Sequence, residues 1–175
     1  MKETGWAIWV TGLPASGKST VAKALKERLT GLGVKAQILE SDAVRSVLTP
    51  NPTYSPGERE TFYNALVYIG GLLAGNGVNV IFDATASRRR WRRAARDLIE
   101  KFLEAYIRCP LEVCGERDPK GIYRKAAEGE AAHVPGTQEE YEEPLDADVE
   151  LDCLKDSPEA SAEKIIEAMR RYDFI

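Results

Sequence analysis

The chain has 175 residues, of which 43% are hydrophobic and 30% are charged, which is ordinary for one soluble globular domain. The formal net charge of −4 argues against general attraction to nucleic acid or to an anionic membrane surface. No apolar run approaches the roughly 20 residues of a membrane span, and no signal-peptide pattern opens the chain.

The first predicted elements are a strand, a glycine-rich loop and a helix. The apolar run over residues 6–11 predicts the strand, and apolar residues at helical spacing predict the helix over residues 18–32. The sequence between them fits G-x-x-x-x-G-K-[ST], and in this setting the pattern indicates a phosphate-binding loop. The loop residues are Gly12, Leu13, Pro14, Ala15, Ser16, Gly17, Lys18, Ser19 and Thr20.

Each part of this loop has a chemical use. The two glycines let successive backbone N–H groups point at phosphate oxygens, and the helix N-terminus adds partial positive charge. Lys18 can reach the β- and γ-phosphates, and the hydroxyl of Ser19 can take one position on Mg²⁺. The sequence therefore predicts binding of a nucleoside triphosphate with Mg²⁺.

The rest of the chain alternates strands with helices. Strands are predicted over residues 34–40, 77–83, 105–109 and 148–152, and helices over residues 42–48, 58–73, 89–102, 111–117 and 158–172. This alternation predicts an α/β fold, namely a P-loop NTPase three-layer α/β/α sandwich with a parallel sheet of about five strands. We expect a single domain over residues 1–175.

Residues 118–147 break the alternation with a polar, charged stretch that contains several glycines and prolines. A segment of this length between two strands predicts a mobile lid over the phosphates. A poorly ordered surface insertion is the alternative.

Two acids stand at predicted strand ends, Asp42 after the second strand and Asp83 at the end of the third. Both should face the phosphate-binding loop, because the carboxyl ends of parallel strands share one edge of the sheet. Either carboxylate could hold the metal's water shell or accept the proton of an acceptor hydroxyl. An N-cap for the following helix is the alternative for Asp42.

Several cations could clamp an anionic acceptor, with solvated surface charge as the alternative for each. They are Arg45, Arg59, Arg117 and Lys120. The dense basic run over residues 88–93, with Arg96, has three interpretations: an anion cradle near Asp83, docking to nucleic-acid phosphates, or a charged face with Trp91 packed inward.

The three cysteines predict reduced thiols in a cytoplasmic protein, because their number is odd and their spacing is not that of a paired motif. They are Cys109, Cys114 and Cys153. Tyr54 lies in a proline-flanked loop, where its ring could stack on a purine or only pin the loop.

Four blocks of the chain resemble the adenylylsulfate kinases. Residues 41–45 look like the family's G-D-N-[VI]-R, and residues 54–59 look like its F-S-x-x-D-R. Residues 109–126 are similar to its P-L-E-V-C-x-x-R-D-x-K-G-L-Y-x-K-A, and residues 135–144 are similar to its T-G-x-x-x-x-Y-E-x-P. The resemblance implies transfer of the γ-phosphoryl group of ATP to the 3′-hydroxyl of adenylyl sulfate. Dimers are common in that family, so the resemblance leaves a homodimer open.

The resemblance also implies roles for single residues. It places Asp42 near the metal and the acceptor hydroxyl, Arg45 and Arg59 on the substrate, and Tyr54 where the family has an adenine-stacking phenylalanine. It places Arg117 beside the ATP base, and Lys120 on the lid near the substrate.

We accordingly expect Lys18 and Asp42 to be catalytic and Ser19 and Asp42 to hold the metal, with Asp83 among the substrate residues. The chain also departs from the family pattern on the acceptor side. Val134 stands at the position of a second stacking phenylalanine, and Phe62 stands at that of an asparagine. A polynucleotide 5′-hydroxyl kinase or a small-metabolite P-loop kinase is therefore the alternative. A nucleotide-binding switch is less favoured, because no N-K-x-D stretch for guanine recognition occurs.

Overall fold

The structure is a computed structural model that describes residues 4–175, and its centre is a five-stranded parallel sheet. The strand order is β2-β3-β1-β4-β5, and all four neighbouring pairs are parallel. The strands are β1 Ala7–Thr11, β2 Gln37–Glu40, β3 Val80–Asp83, β4 Phe102–Arg108 and β5 Val149–Asp152. Every residue of β1 and of β3 is buried, as expected for strands covered on both faces.

Helices cover both faces of this sheet. They are α1 Lys18–Gly31, α2 Ser41–Leu48, α3 Pro56–Gly75, α4 Arg89–Leu98, α5 Leu111–Arg117, α6 Ile122–Ala127 and α7 Pro158–Arg171. One apolar cluster contains Leu25 of α1 and Ile165 of α7, and a second contains Leu66 of α3 and Trp91 of α4. Because residues of β1 alternate between the two clusters, the fold is a three-layer sandwich, as the sequence predicts.

Two predicted boundaries are wrong around residue 100. The predicted helix over residues 89–102 ends at Leu98, and β4 already begins at Phe102, three residues before its predicted start. The apolar residues Ile99, Phe102 and Leu103 continue a helical spacing, but Phe102 pairs with Ala7 in the sheet and is buried there. Pairing with the central strand therefore decides the conformation of this stretch.

The prediction of reduced thiols is wrong for two of the three cysteines. Cys109 and Cys153 form a disulfide with a Cα–Cα distance of 5.3 Å, and Cys114 is free and buried. The reason is the register of the sheet, since Arg108 of β4 lies opposite Asp152 of β5 and each cysteine is the next residue along its strand. Sequence spacing gives no indication of this, because the two cysteines are 44 residues apart.

Within residues 4–175, no helix combines the length and the hydrophobicity that a membrane-spanning helix requires.

Candidate active site

A cavity of about 690 Å³ opens at the carboxyl ends of β1, β2 and β3. The phosphate-binding loop forms its floor, and residues 117–135 border its other side. Most of the predicted site residues line this one cavity, namely Pro14, Ala15, Gly17, Lys18, Ser19, Thr20, Asp42, Arg45, Tyr54, Arg59, Asp83, Arg117 and Lys120. The remaining three, Gly12, Leu13 and Ser16, belong to the loop but do not line the cavity.

The loop takes the backbone shape that its glycines allow. Gly12 has φ 153°, and a Cβ atom there would lie 2.9 Å from the backbone oxygen of Ile107, so no larger residue fits without a shift. Gly17 has φ 104° and precedes the first residue of α1. The loop therefore ends with backbone N–H groups at a helix N-terminus, which is the arrangement that binds phosphate.

Lys18 is almost buried beside this loop. Its ammonium donates a hydrogen bond to the carbonyl oxygen of Leu13 at 2.8 Å. Burial lowers the pKa of Lys18 to about 8, although the nearby carboxylate of Asp83 opposes that shift. A bound polyphosphate would stabilise the charged form of this side chain.

Asp83 ends β3 and is 4% exposed. Burial raises the pKa of its carboxyl, while a hydrogen bond with Ser19 and the charge of Lys18 lower it. The fold therefore brings Asp83 next to the Ser19 hydroxyl, which the sequence instead pairs with Asp42.

Asp42 lies in the first turn of α2, which follows the strand next to β3, and its ion-pair partner is Lys120. The Lys120 ammonium donates to the Asp42 carboxylate, and this hydrogen bond raises the pKa of Lys120. Both side chains are more than half exposed. The N-cap alternative for Asp42 is wrong, because Glu40 precedes the first turn of α2 and Asp42 lies within that turn. The ion pair thus connects residues 118–147 to α2 across the mouth of the cavity.

Arg45 lies against two aromatic rings at the inner wall. Its guanidinium carbon is 3.7 Å from the ring centroid of Phe62 and 5.0 Å from that of Tyr54. Its Nη1 atom is 3.5 Å from Oε1 of Glu58. Tyr54 therefore has a cation on its ring and stays partly exposed to the cavity.

Arg59 joins two segments of the wall. Nε donates to the carbonyl oxygen of Tyr54 at 3.0 Å, and Nη2 donates to that of His133 at 2.6 Å. The side chain is 8% exposed, and its nearest carboxylate oxygen, on Glu139, is 4.0 Å away. Arg59 thus holds the loop before α3 against residues 118–147 with two of its nitrogens.

Glu58 orders the loop before α3, a role that was not predicted from the sequence. Its carboxylate accepts hydrogen bonds from the backbone N–H of Thr53 at 2.7 Å and of Tyr54 at 3.1 Å, and these contacts lower its pKa. Ser55 accepts from the backbone N–H of Glu58, so the pair has the S-x-x-E spacing of a helix capping box. That spacing could have indicated both the start of α3 at Pro56 and the ordered loop before it.

Residues 118–147 pack on the phosphate-binding loop and the sheet edge. The Tyr123 hydroxyl donates to the carbonyl oxygen of Pro14 at 2.9 Å, and the hydroxyls of Tyr141 and Thr11 are 2.8 Å apart. Val134 is buried in a small apolar cluster with Tyr123 and Cys114. The segment therefore covers the cavity as a packed structure and contains the helix α6, which the sequence did not predict. Its mobility stays a prediction.

Five of the six arginines in the basic run over residues 88–96 form ion pairs with acids. Arg92 is buried and lies 2.5 Å from Glu104, and Arg96 lies 2.5 Å from Asp148. Further pairs join Arg88 to Glu142, Arg90 to Glu60 and Arg93 to Asp97. Trp91 is 3% exposed. This arrangement agrees with the third interpretation, a charged face with Trp91 packed inward, because acids of this chain already neutralise these arginines.

Arg117 is exposed at the rim of the cavity, where Nη2 donates to the carbonyl oxygen of Cys153 at 3.1 Å. The disulfide therefore lies directly behind this predicted nucleotide contact.

Comparisons with known proteins agree with this geometry. Residues 4–152 match the family model for adenylylsulphate kinase. A probable adenylyl-sulfate kinase of Archaeoglobus fulgidus is 42% identical over 150 residues, which cover 86% of this chain and 97% of that protein. An adenylyl-sulfate kinase of Rippkaea orientalis is 35% identical over 175 residues, which cover this whole chain and 97% of that protein. The solved structure of the Mycobacterium tuberculosis APS kinase in complex with AMPPNP and APS has a TM-score of 0.88 and 32% identity, over 95% of this chain and 98% of that one.

Proposed function

The chain belongs to the adenylylsulphate kinase family, and we propose that it transfers the γ-phosphoryl group of ATP to the 3′-hydroxyl of adenylyl sulfate. The product is 3′-phosphoadenylyl sulfate. The observation that carries this proposal is the single cavity in which a phosphate-binding loop faces a carboxylate and an almost buried arginine. Such a cavity can hold a triphosphate and an anionic alcohol together, as phosphoryl transfer requires.

The residues that line the cavity have different roles in this reaction. The loop amides and Lys18 hold the ATP phosphates and balance the charge that spreads over the moving phosphoryl group. Asp42 orients the acceptor hydroxyl and accepts its proton. Arg45 contacts the anionic group of the acceptor, and Tyr54 stacks on its adenine.

Two further cations hold these residues in position. Lys120, in residues 118–147, contacts Asp42, and Arg59, in α3, contacts the backbone of Tyr54. Lys120 pairs with Asp42 in the free protein, and it turns to the bound anions when the acceptor hydroxyl takes its place beside Asp42. Arg59 fixes the loop that contains Tyr54. Packing of residues 118–147 over the cavity excludes water, which limits loss of ATP to hydrolysis.

The oxygen atoms of Ser19 and Asp83 fit Mg²⁺, which prefers hard oxygen ligands and the neighbourhood of phosphates. Ser19, Lys18 and Asp83 line the same cavity, and both Ser19 and Lys18 lower the pKa of the Asp83 carboxyl, so a hydroxyl and a carboxylate lie near each other beside Lys18. The ion, when bound, neutralises charge on the transferring phosphates. We therefore propose Ser19 and Asp83 as the metal side of the cavity, in place of Ser19 and Asp42.

Asp83→Asn is expected to weaken Mn²⁺ binding to the protein–ADP complex about tenfold to a hundredfold, the usual effect of losing a supporting oxygen group. Electron paramagnetic resonance titration of Mn²⁺ would measure this without turnover. Asp42→Asn is the matched control, since its carboxylate faces Lys120, and it should leave Mn²⁺ affinity within about twofold. If Asp42→Asn weakens Mn²⁺ binding and Asp83→Asn does not, Ser19 and Asp42 are the metal-binding residues, as predicted from the sequence.

The acceptor is tested by competition. With [γ-³²P]ATP and equal concentrations of adenylyl sulfate, gluconate, shikimate and a 5′-hydroxyl oligonucleotide, we expect the label almost entirely in 3′-phosphoadenylyl sulfate. Label in the oligonucleotide or in a sugar acid would contradict the proposal and favour the alternative kinase classes. A homodimer and a cytoplasmic location remain predictions, and light scattering after size exclusion would test the first.

A further inference from the structure

Arg45 is a nearly buried cation with few polar partners. Its side chain is 7% exposed, and within residues 4–175 its guanidinium makes one hydrogen bond, the 3.5 Å contact with Glu58. Arg59, which is equally buried, donates to two carbonyl oxygens at 3.0 and 2.6 Å. Because a guanidinium has five N–H donors, most of those on Arg45 remain available to an anion in the cavity that it lines.

The aromatic ring of Phe62 packs against the guanidinium of Arg45. The guanidinium carbon of Arg45 lies 3.7 Å from the centroid of the Phe62 ring, closer than to the ring of Tyr54. Phe62 is completely buried, and its ring meets that of Tyr63 edge-on at 5.3 Å between centroids. An aromatic face stabilises a cation that has lost water, and a packed ring cannot turn away from it.

Two side chains of helix α3 contact the guanidinium of Arg45. Glu58 and Phe62 are four residues apart, so they lie on the same face of the helix, one turn after the other. The carboxylate lies near the Nη1 atom, and the guanidinium carbon lies over the ring. Together they fix the direction of the guanidinium before any ligand is bound.

We propose that Phe62 is a positioning residue that holds Arg45 ready for the anionic group of the acceptor. The proposal rests on the proposed function, because it concerns how the same cavity recognises adenylyl sulfate. Arg45 contacts the phosphate–sulfate part of the acceptor, and Phe62 acts only through Arg45. Loss of the ring therefore weakens acceptor binding and leaves ATP binding intact.

The test compares Phe62→Leu with Leu66→Ala, both of which shorten a buried apolar side chain of α3. Leu66 lies one turn further along the helix and serves as the matched control for lost packing. For Phe62→Leu we expect the KM for adenylyl sulfate to rise about tenfold, with the KM for ATP and kcat each within about threefold of wild type. Leu66→Ala should lower Tm at least as much and leave both KM values near wild type.

A double variant shows whether the effect passes through Arg45. Arg45→Ala alone should raise the KM for adenylyl sulfate, and adding Phe62→Leu should raise it no further. Additive effects, or an equal rise in Leu66→Ala, would overturn the positioning role. If wild-type protein phosphorylates adenylyl sulfate but Phe62→Leu keeps its KM, only this inference fails. If the wild type does not phosphorylate adenylyl sulfate, both the proposed function and this inference are wrong.

Discussion

Lys18→Met is expected to lower kcat by about 10²–10³-fold, the usual loss when one preorganised charge-stabilising group is removed. Methionine preserves most of the chain length and removes only the ammonium, which lies beside the loop and Asp83. Initial rates of ADP release at saturating ATP and adenylyl sulfate would measure the loss. Lys23→Met is the control, since Lys23 is an exposed lysine one turn further along α1. Equal rates in the two variants would remove Lys18 from the mechanism.

The same side chain gives the free protein a dependence on pH. Because burial holds the pKa of Lys18 near 8, its charge is present below that pH and is lost as the pH rises through it. Bound triphosphate stabilises the charged form, so ATP binding takes up a proton above pH 8. The Kd for ATP should therefore rise by up to about tenfold per pH unit above 8 in calorimetric titrations. Lys18→Met should lack this component.

Asp42→Ala is expected to lower kcat by about 10²–10⁴-fold, the range for a positioned acid–base group. The change removes the carboxylate that orients the acceptor hydroxyl and leaves the phosphate-binding loop untouched, so the Kd for ATP should stay within about threefold of wild type. Rates with saturating adenylyl sulfate, combined with ATP titrations, separate the two effects.

The control for Asp42→Ala is Asp97→Ala, which removes another exposed, paired carboxylate outside the cavity. It should leave kcat within about twofold of wild type. Nearly normal turnover in Asp42→Ala would end the assignment of a catalytic role to this residue. A large loss of ATP affinity would instead place Asp42 on the nucleotide side.

The phosphate-binding loop could be predicted because its requirements are local. Gly12 and Gly17 must adopt positive φ values, and Lys18 must follow directly at the start of a helix. Each of these depends on residues that are adjacent in the chain. The alternation of strands and helices was equally visible, since it depends on apolar spacing within each element.

The partners of charged residues could not be predicted in this way. The arginines of α4 pair with acids that are distant in the sequence; Asp148, the partner of Arg96, is 52 residues away along the chain. The sequence shows only the dense positive run, and three interpretations fit it until the opposing elements are in place. Burial of Arg92 beside Glu104 then favours the charged face, because a buried charge needs a partner.

The sequence by itself determined the class of the protein, the phosphate-binding loop and the set of acids and cations near one edge of a parallel sheet. Only the tertiary structure decided that Asp83 meets Ser19 while Asp42 meets Lys120, that Cys109 bonds to Cys153, and that Phe62 supports Arg45. The physical reason is the separation along the chain between the residues that interact. Backbone geometry and apolar periodicity are set by near neighbours in the chain, whereas these pairs are set by strand order, register and helix packing, which bring together residues tens of positions apart.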